Sequence, residues 1–170
     1  MSGLRQIRIL TVDDHLLLRE GIASVIQGEK DMLVVREASN GIEAVEKFRS
    51  LRPDITLMDL QMPHMNGMDA ITSIRQEDTR ARIVVLTTYG GDVLARRALK
   101  AGVSGYMLKS MIRSDLLEAV RAVHAGRRYI PQQIAAELAD HYARTNSVIG
   151  RSRWDNRVLG PLVQSPRVCR

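Results

Sequence analysis

Five side chains of this 170-residue sequence have the types and placement to act on a phosphoryl group: Asp13, Asp14, Asp59, Thr87 and Lys109. Each closes or follows a short run of apolar and β-branched residues. In an open parallel sheet the groups at the carboxyl ends of the strands converge on one edge. Three carboxylates gathered there repel one another unless a cation neutralises them, and hard oxygen donors suit magnesium rather than zinc. The four histidines do not cluster usefully. On this reading magnesium joins a carboxylate to a phosphoryl oxygen, and Lys109 offsets the remaining charge. Thr87 hydrogen-bonds another equatorial oxygen, which leaves Asp59 as the nucleophile. Taken singly, an Asp at a strand end also reads as a helix cap and a strand-end Lys as a snorkelling side chain. Their joint occurrence favours the chemical reading.

The elements that must position these groups follow from periodicity. Strands are expected at Ile7–Val12, Leu33–Ala38, Asp54–Met58, Ile83–Thr87 and Gly105–Leu108. Three of them are nearly continuous apolar runs, as strands covered on both faces are. Amphipathic stretches alternate with them: Leu18, Ile22, Val25 and Ile26 repeat at helical spacing, as do Ile42, Val45 and Phe48, and then Ile71 and Ile74. Asn40-Gly41 opens the second helix. Asp92 is expected to cap a fourth helix that Gly102 ends, and Ser114 or Asp115 to start a fifth that ends at Gly126. Five βα units define an α/β fold, a flavodoxin-like, doubly wound (βα)5 parallel sheet. Beyond them Pro131 suits the first turn of a further helix, in which Ile134, Leu138 and Tyr142 recur every four residues.

Composition narrows the function classes. The formal charge of +6 invites a nucleic-acid reading, but residues 1–143 hold 19 Lys and Arg against 18 Asp and Glu, while residues 144–170 hold six Arg and one Asp. The basicity belongs to the tail, and the body offers no basic patch for DNA. No run approaches the length of a membrane span, and the N-terminus lacks the apolar region of a secretory signal, so a cytoplasmic location without membrane contact is expected. Cys169, the single cysteine, has no intramolecular disulfide partner and no expected catalytic role.

The runs Leu10-Thr11-Val12-Asp13-Asp14-His15, Met58-Asp59-Leu60-Gln61-Met62-Pro63-His64-Met65-Asn66-Gly67, Leu86-Thr87-Thr88 and Ala101 through Lys109 resemble the receiver domains of response regulators in two-component systems. The likeness covers roughly residues 5–130 in order. Asp13-Asp14-His15, Gly105-Tyr106-Met107-Leu108-Lys109 and Arg127-Arg128-Tyr129-Ile130-Pro131 look most like the NarL/FixJ branch, whose members are usually DNA-binding transcription regulators. The resemblance implies that Asp59 is the phosphoacceptor and that Asp14, Asp59 and the backbone carbonyl of Gln61 ligate Mg2+, with Asp13 acting through water. It implies that Thr87 and Lys109 read the phosphoryl group and that Tyr106 is a switch aromatic, turning inward as the Thr87 hydroxyl moves toward the phosphate. The competing reading of Tyr106 is a half-buried strand tyrosine whose hydroxyl reaches the surface. Gln61 and Tyr89, two residues beyond Asp59 and Thr87, are expected to control the approach of water. The implied partners are a sensor histidine kinase and a second copy of the chain on phosphorylation. Such a domain takes part in its own phosphorylation and dephosphorylation without being an enzyme in the usual sense. Met62-Pro63 and Asn66-Gly67 shape the loop after the acceptor, where Gly permits positive φ.

Three features depart from or extend the pattern. Ser110 follows Lys109 where many receivers have a proline after a cis peptide, which leaves that bond open, since a non-proline cis bond costs about 2.5–4 kcal/mol. The expected division is a receiver over residues 5–127, a linker helix over 128–144 and an irregular, Arg-rich tail over 145–170. The NarL/FixJ pattern calls for a helix-turn-helix domain of about 60 residues, and only 24 residues remain after Asn146. DNA binding is therefore expected only through a domain this sequence lacks. The tail reads as a truncation, a cloning artefact or a shifted reading frame. A stand-alone receiver acting by protein contact is the alternative. An aspartate-nucleophile phosphatase is remote, because position 61 is Gln rather than a second acid. A nucleotide-binding domain is disfavoured because Asp13-Asp14-His15 replaces a phosphate loop.

Overall fold

The computed structural model describes residues 5–88 and 91–146. Five parallel strands, β1 (Ile7–Val12), β2 (Met32–Ala38), β3 (Ile55–Asp59), β4 (Ile83–Thr87) and β5 (Gly105–Leu108), form one sheet in the order β2-β1-β3-β4-β5. The order reverses beside β1, so a crevice opens between the carboxyl ends of β1 and β3. The third strand lies one residue later than its apolar run suggests, and Asp59 is its last residue rather than the residue after it.

Strand alternation sends side chains into two apolar layers. Ile9, Ile55, Leu57, Val84, Leu86 and Met107 pack with α1 (Leu16–Gln27) and α5 (Ile112–His124). Leu10, Val12, Met58, Ile83, Val85 and Tyr106 face α2 (Gly41–Leu51), α3 (Gly67–Glu77) and α4 (Asp92–Lys100). Ile134 and Leu138 of α6 (Gln132–Asn146) are buried in that second layer, and α6 packs along α4. The segment that leads into α6 is tied to the sheet where Tyr129 bridges Gly105: the Tyr106 N–H donates to the Tyr129 carbonyl at 2.9 Å. The last helix therefore shares the core of the five βα units and runs two residues into the stretch expected to be irregular. The tail beyond it lies outside the described residues.

Helix starts show which local signals were sufficient. The Asn40 side chain accepts the Glu43 N–H at 3.0 Å, and the Glu43 carboxylate returns to Ser39, a reciprocal cap that fixes the start of α2. Gly91, not Asp92, occupies the cap position of α4. The fifth helix begins at Ile112, before Ser114 and Asp115, because a 3-10 turn over Lys109–Met111 leads directly from β5 into it. No peptide bond among the described residues is cis, so the Lys109-Ser110 bond is trans.

Candidate functional site

The loop after β3 is held by contacts that admit no side chain at Gly67. A Cβ there would stand 2.0 Å from the Asp59 carbonyl oxygen and 2.8 Å from the Leu60 Cα. Gly67 does not have positive φ, contrary to expectation; the left-handed residue of this loop is His64, at φ 67°. Glycine is required here for close approach. The Gly67 N–H donates to the Leu60 carbonyl at 3.0 Å, and the Asn66 side chain caps α3 by accepting the Asp69 N–H at 2.9 Å. Helix and strand are thereby clamped around the carboxylate of Asp59.

At the carboxyl edge, Asp13 and Asp59 are buried, at 0% and 2% exposure. The Lys109 ammonium stands 2.6 Å from Asp13 Oδ2 and 3.1 Å from Asp59 Oδ2. Both of these buried oxygens are ion-paired to Lys109 and have no further partner among the described residues. Asp59 Oδ1 accepts the Gln61 backbone N–H at 3.2 Å. Burial raises the Asp59 carboxyl above its ordinary range; Lys109 and the Gln61 N–H pull it back, and Asp13 adds repulsion. For Lys109, burial is the largest single influence and lowers its pKa, but Asp13 and Asp59 together outweigh it and hold the ammonium charged.

Asp13, Asp14, His15 and Asp59 each present one donor atom, all within 4.8 Å of one another. Two unsaturated buried carboxylate oxygens beside an exposed third carboxylate fit a hard divalent cation. Asp13, Asp14 and Asp59 are the residues that would hold it. His15 joins this group in space, a placement that the scattered positions of the four histidines do not suggest; the sequence signal for it is its position directly after two carboxylates.

Thr87 is buried at the end of β4. The register sets Tyr106 opposite Val85, on the same face of the sheet as Thr87. The Tyr106 ring is fully buried, and its hydroxyl has no partner in good hydrogen-bond geometry among the described residues. Burial raises its pKa, and the nearby Thr87 side chain partly offsets that. This is not the half-buried tyrosine with a surface hydroxyl. The structure thus brings Asp13, Asp14, Asp59, Thr87 and Lys109 to one end of the sheet, with Tyr106 behind Thr87. Gln61 is exposed beside the site, and Tyr89 lies outside the described residues.

A doubly wound sheet with this edge is the architecture of a signalling receiver. Residues 9–121 match the response regulator receiver domain family, and the chain belongs to it. It is 36% identical over 144 residues to the transcriptional regulatory protein LnrK of Bacillus subtilis, covering 85% of this chain and 66% of LnrK. It is 39% identical over 139 residues to the nitrate/nitrite response regulator NarL of Escherichia coli, covering 82% of this chain and 64% of NarL. The chain thus spans just under two thirds of the length of these relatives. A LuxR-family two-component response regulator from Aurantimonas superposes with a TM-score of 0.77 at 40% identity, covering 81% of this chain and 99% of that one. These likenesses agree with the NarL/FixJ-like branch. No helix among the described residues is long and apolar enough to cross a membrane.

Proposed function

We propose that this response-regulator receiver takes a phosphoryl group on Asp59 from a phosphohistidine of a sensor histidine kinase. The P–N bond to the imidazole breaks as the bond to an Asp59 carboxylate oxygen forms. The observation that carries this reading is the half-buried Lys109 ammonium, within 3.1 Å of both Asp13 Oδ2 and Asp59 Oδ2. A fixed cation at that point stabilises the charge that accumulates on the equatorial oxygens and lowers the barrier without being consumed. Thr87 donates to another of those oxygens. Asp14, Asp59 and the Gln61 carbonyl would hold Mg2+, with Asp13 acting through water, and the ion would supply further neutralisation of the phosphoryl charge.

Phosphorylation favours the conformation in which Thr87 and Tyr106 are drawn toward the site, because the new contacts exist only there. The output is control of transcription in the cytoplasm, through a homodimer formed on phosphorylation and a DNA-binding domain outside residues 5–127. The segment 128–144, which contains most of α6, serves as the link to that output. Gln61 and Tyr89 govern hydrolysis: Gln61 orients water, Tyr89 hinders it, and Tyr89→Ala shortens the phosphoryl lifetime. Incubation with acetyl phosphate and magnesium tests the central claim. Label on wild type that is lost in Asp59→Ala and in excess chelator supports it, and equal labelling of Asp59→Ala rejects it.

A further inference from the structure

His15 occupies the cap position of α1, where Ser, Thr, Asp and Asn are favoured because their side chains accept the free N–H groups of the first turn. Its side chain makes no such bond. The imidazole turns back over the strand ends instead, with Nδ1 at 3.0 Å from Asp14 Oδ1 and 3.2 Å from Asp13 Oδ1. The peptide is anchored in that attitude, since the His15 N–H donates to Asp13 Oδ1 at 2.8 Å. The ring stays largely open to solvent, at 72% side-chain exposure. On its other side it borders a shallow hollow that Leu17, Leu18, Thr88 and Lys109 also line.

Ligand atoms about 2.1 Å from a shared octahedral ion stand about 3.0 Å apart when adjacent and about 4.2 Å apart when opposite. The two imidazole–carboxylate distances match an adjacent edge, and the 4.8 Å limit on the whole donor set lies slightly outside the opposite spacing. With no cation present, the same separations are satisfied by a ring N–H shared between two carboxylates. The distinction lies in what the site does when a cation arrives. Magnesium shuns nitrogen donors, whereas cobalt, nickel and, more weakly, manganese accept imidazole readily.

We propose that His15 Nδ1 is an additional ligand of this site for borderline divalent cations of the Co2+ type, joining the carboxylates of Asp13, Asp14 and Asp59. The ring proton then resides on Nε2, and the nitrogen lone pair of Nδ1 faces the ion. The consequence is a receiver whose acidic edge is not selective for magnesium: its nitrogen donor favours a transition metal, while Mg2+ binds through oxygen alone. This rests on the metal-dependent reading above but adds a ligand and a selectivity to it.

Calorimetric titration of the whole chain, free of any affinity tag, with MgCl2 and with CoCl2 at one fixed pH is the test, run on wild type, His15→Ala and His15→Asn. Removing His15 should cut Co2+ affinity at least about tenfold, the lower end of what even a neighbour of a metal ligand costs on removal. Mg2+ affinity should be unchanged. Proton NMR of the Co2+-loaded wild type should show one hyperfine-shifted, exchangeable ring N–H that both variants lack. If Mg2+ binds but that resonance is missing, or Co2+ affinity survives both substitutions, the nitrogen ligand is overturned while the metal-dependent reading stands. If neither cation binds wild type, both are overturned. Exposure of the side chain makes misfolding of the variants readily checked by circular dichroism.

Discussion

Two buried regions of this molecule lie on either side of Thr87, and they handle polar atoms in opposite ways. At the carboxyl edge, Asp13, Asp59 and Lys109 bring charges into a buried setting and leave carboxylate oxygens with incomplete hydrogen bonding. Behind Thr87, Tyr106 sits in an apolar layer completed by Ile134 and Leu138 of α6, where the side-chain polar atoms left without a partner among the described residues are neutral hydroxyls, those of Tyr106 and Thr56. Buried charges that are imperfectly paired cost stability; buried aliphatic side chains supply it. On the proposed function the edge serves reaction and the layer behind it cohesion, and Thr87 and Tyr106 are where the two meet.

The largest effect that would break this division is on labelling. Asp59→Ala should abolish acyl-phosphate labelling altogether, because the proposed transfer ends on Asp59, although Asp13 is as deeply buried and lies nearer the Lys109 ammonium. A residual label on Asp13 or Asp14, detected by peptide mapping, would show that the edge is less specialised than the contrast requires.

Next in size is the cohesive side. Leu138 is 4% exposed although it lies on the last described helix. Leu138→Ala should lower the unfolding free energy by about 2–3 kcal/mol, the lower part of the range for core leucines, because α6 can shift to fill part of the cavity. Denaturant titration measures it. An effect below about 0.5 kcal/mol, ordinary for surface positions, would mean that α6 contributes little to the layer.

The sequence made the edge more legible than the layer behind it. Asp13, Thr87 and Lys109 were readable because strands buried on both faces write themselves as apolar runs with an abrupt polar end. Gly67 was recognised as a loop glycine, yet its reason, the 2.0 Å approach to the Asp59 carbonyl, depends on how α3 folds over β3. The contact of α6 with α4 was unreadable for a related cause: Ile134, Leu138 and Tyr142 show that the helix has an apolar face, but not what meets it. The start of α5 was hidden because a 3-10 turn without a side-chain cap leaves no local mark. Periodicity reports that a face is buried; only the topology reports against which partner.

A smaller effect concerns pH. Because burial raises the Asp59 carboxyl, the folded chain holds that proton to higher pH than the unfolded chain does. Between the two pKa values the folded state binds more protons, so Asp59's contribution to stability falls as pH rises through that window and stays unfavourable above it. Asp59→Asn removes this titration. In the absence of divalent cations the variant should exceed wild type at neutral pH by on the order of 1–2 kcal/mol, the scale of relieving an incompletely paired buried group. The gap should close as pH drops below the ordinary carboxylate range. Thermal melts of both proteins across pH decide it, and a gap that widens toward acid would reverse the assigned sign.

The smallest expected effect lies at Tyr106, where the two regions touch. Its ring is fully buried, and its hydroxyl lacks a partner in good geometry among the described residues. The Thr87 side chain lies near enough to influence that hydroxyl, and the Glu137 carboxylate of α6 also acts on it. An unpaired buried hydroxyl costs roughly 1–3 kcal/mol, and removing it without changing the ring recovers a part of that. Tyr106→Phe should therefore stabilise the unphosphorylated chain by about 0.5–1 kcal/mol, since the polar neighbours already compensate part of the cost. The ring keeps its volume, so no cavity term opposes the gain. Chemical denaturation reads the difference directly. Destabilisation by a similar amount would mean that Thr87 or Glu137 completes a hydrogen bond to the hydroxyl in solution. Tyr106 would then belong to the polar edge rather than to the apolar layer, and the boundary between the two regions would run along β5 instead of along Thr87.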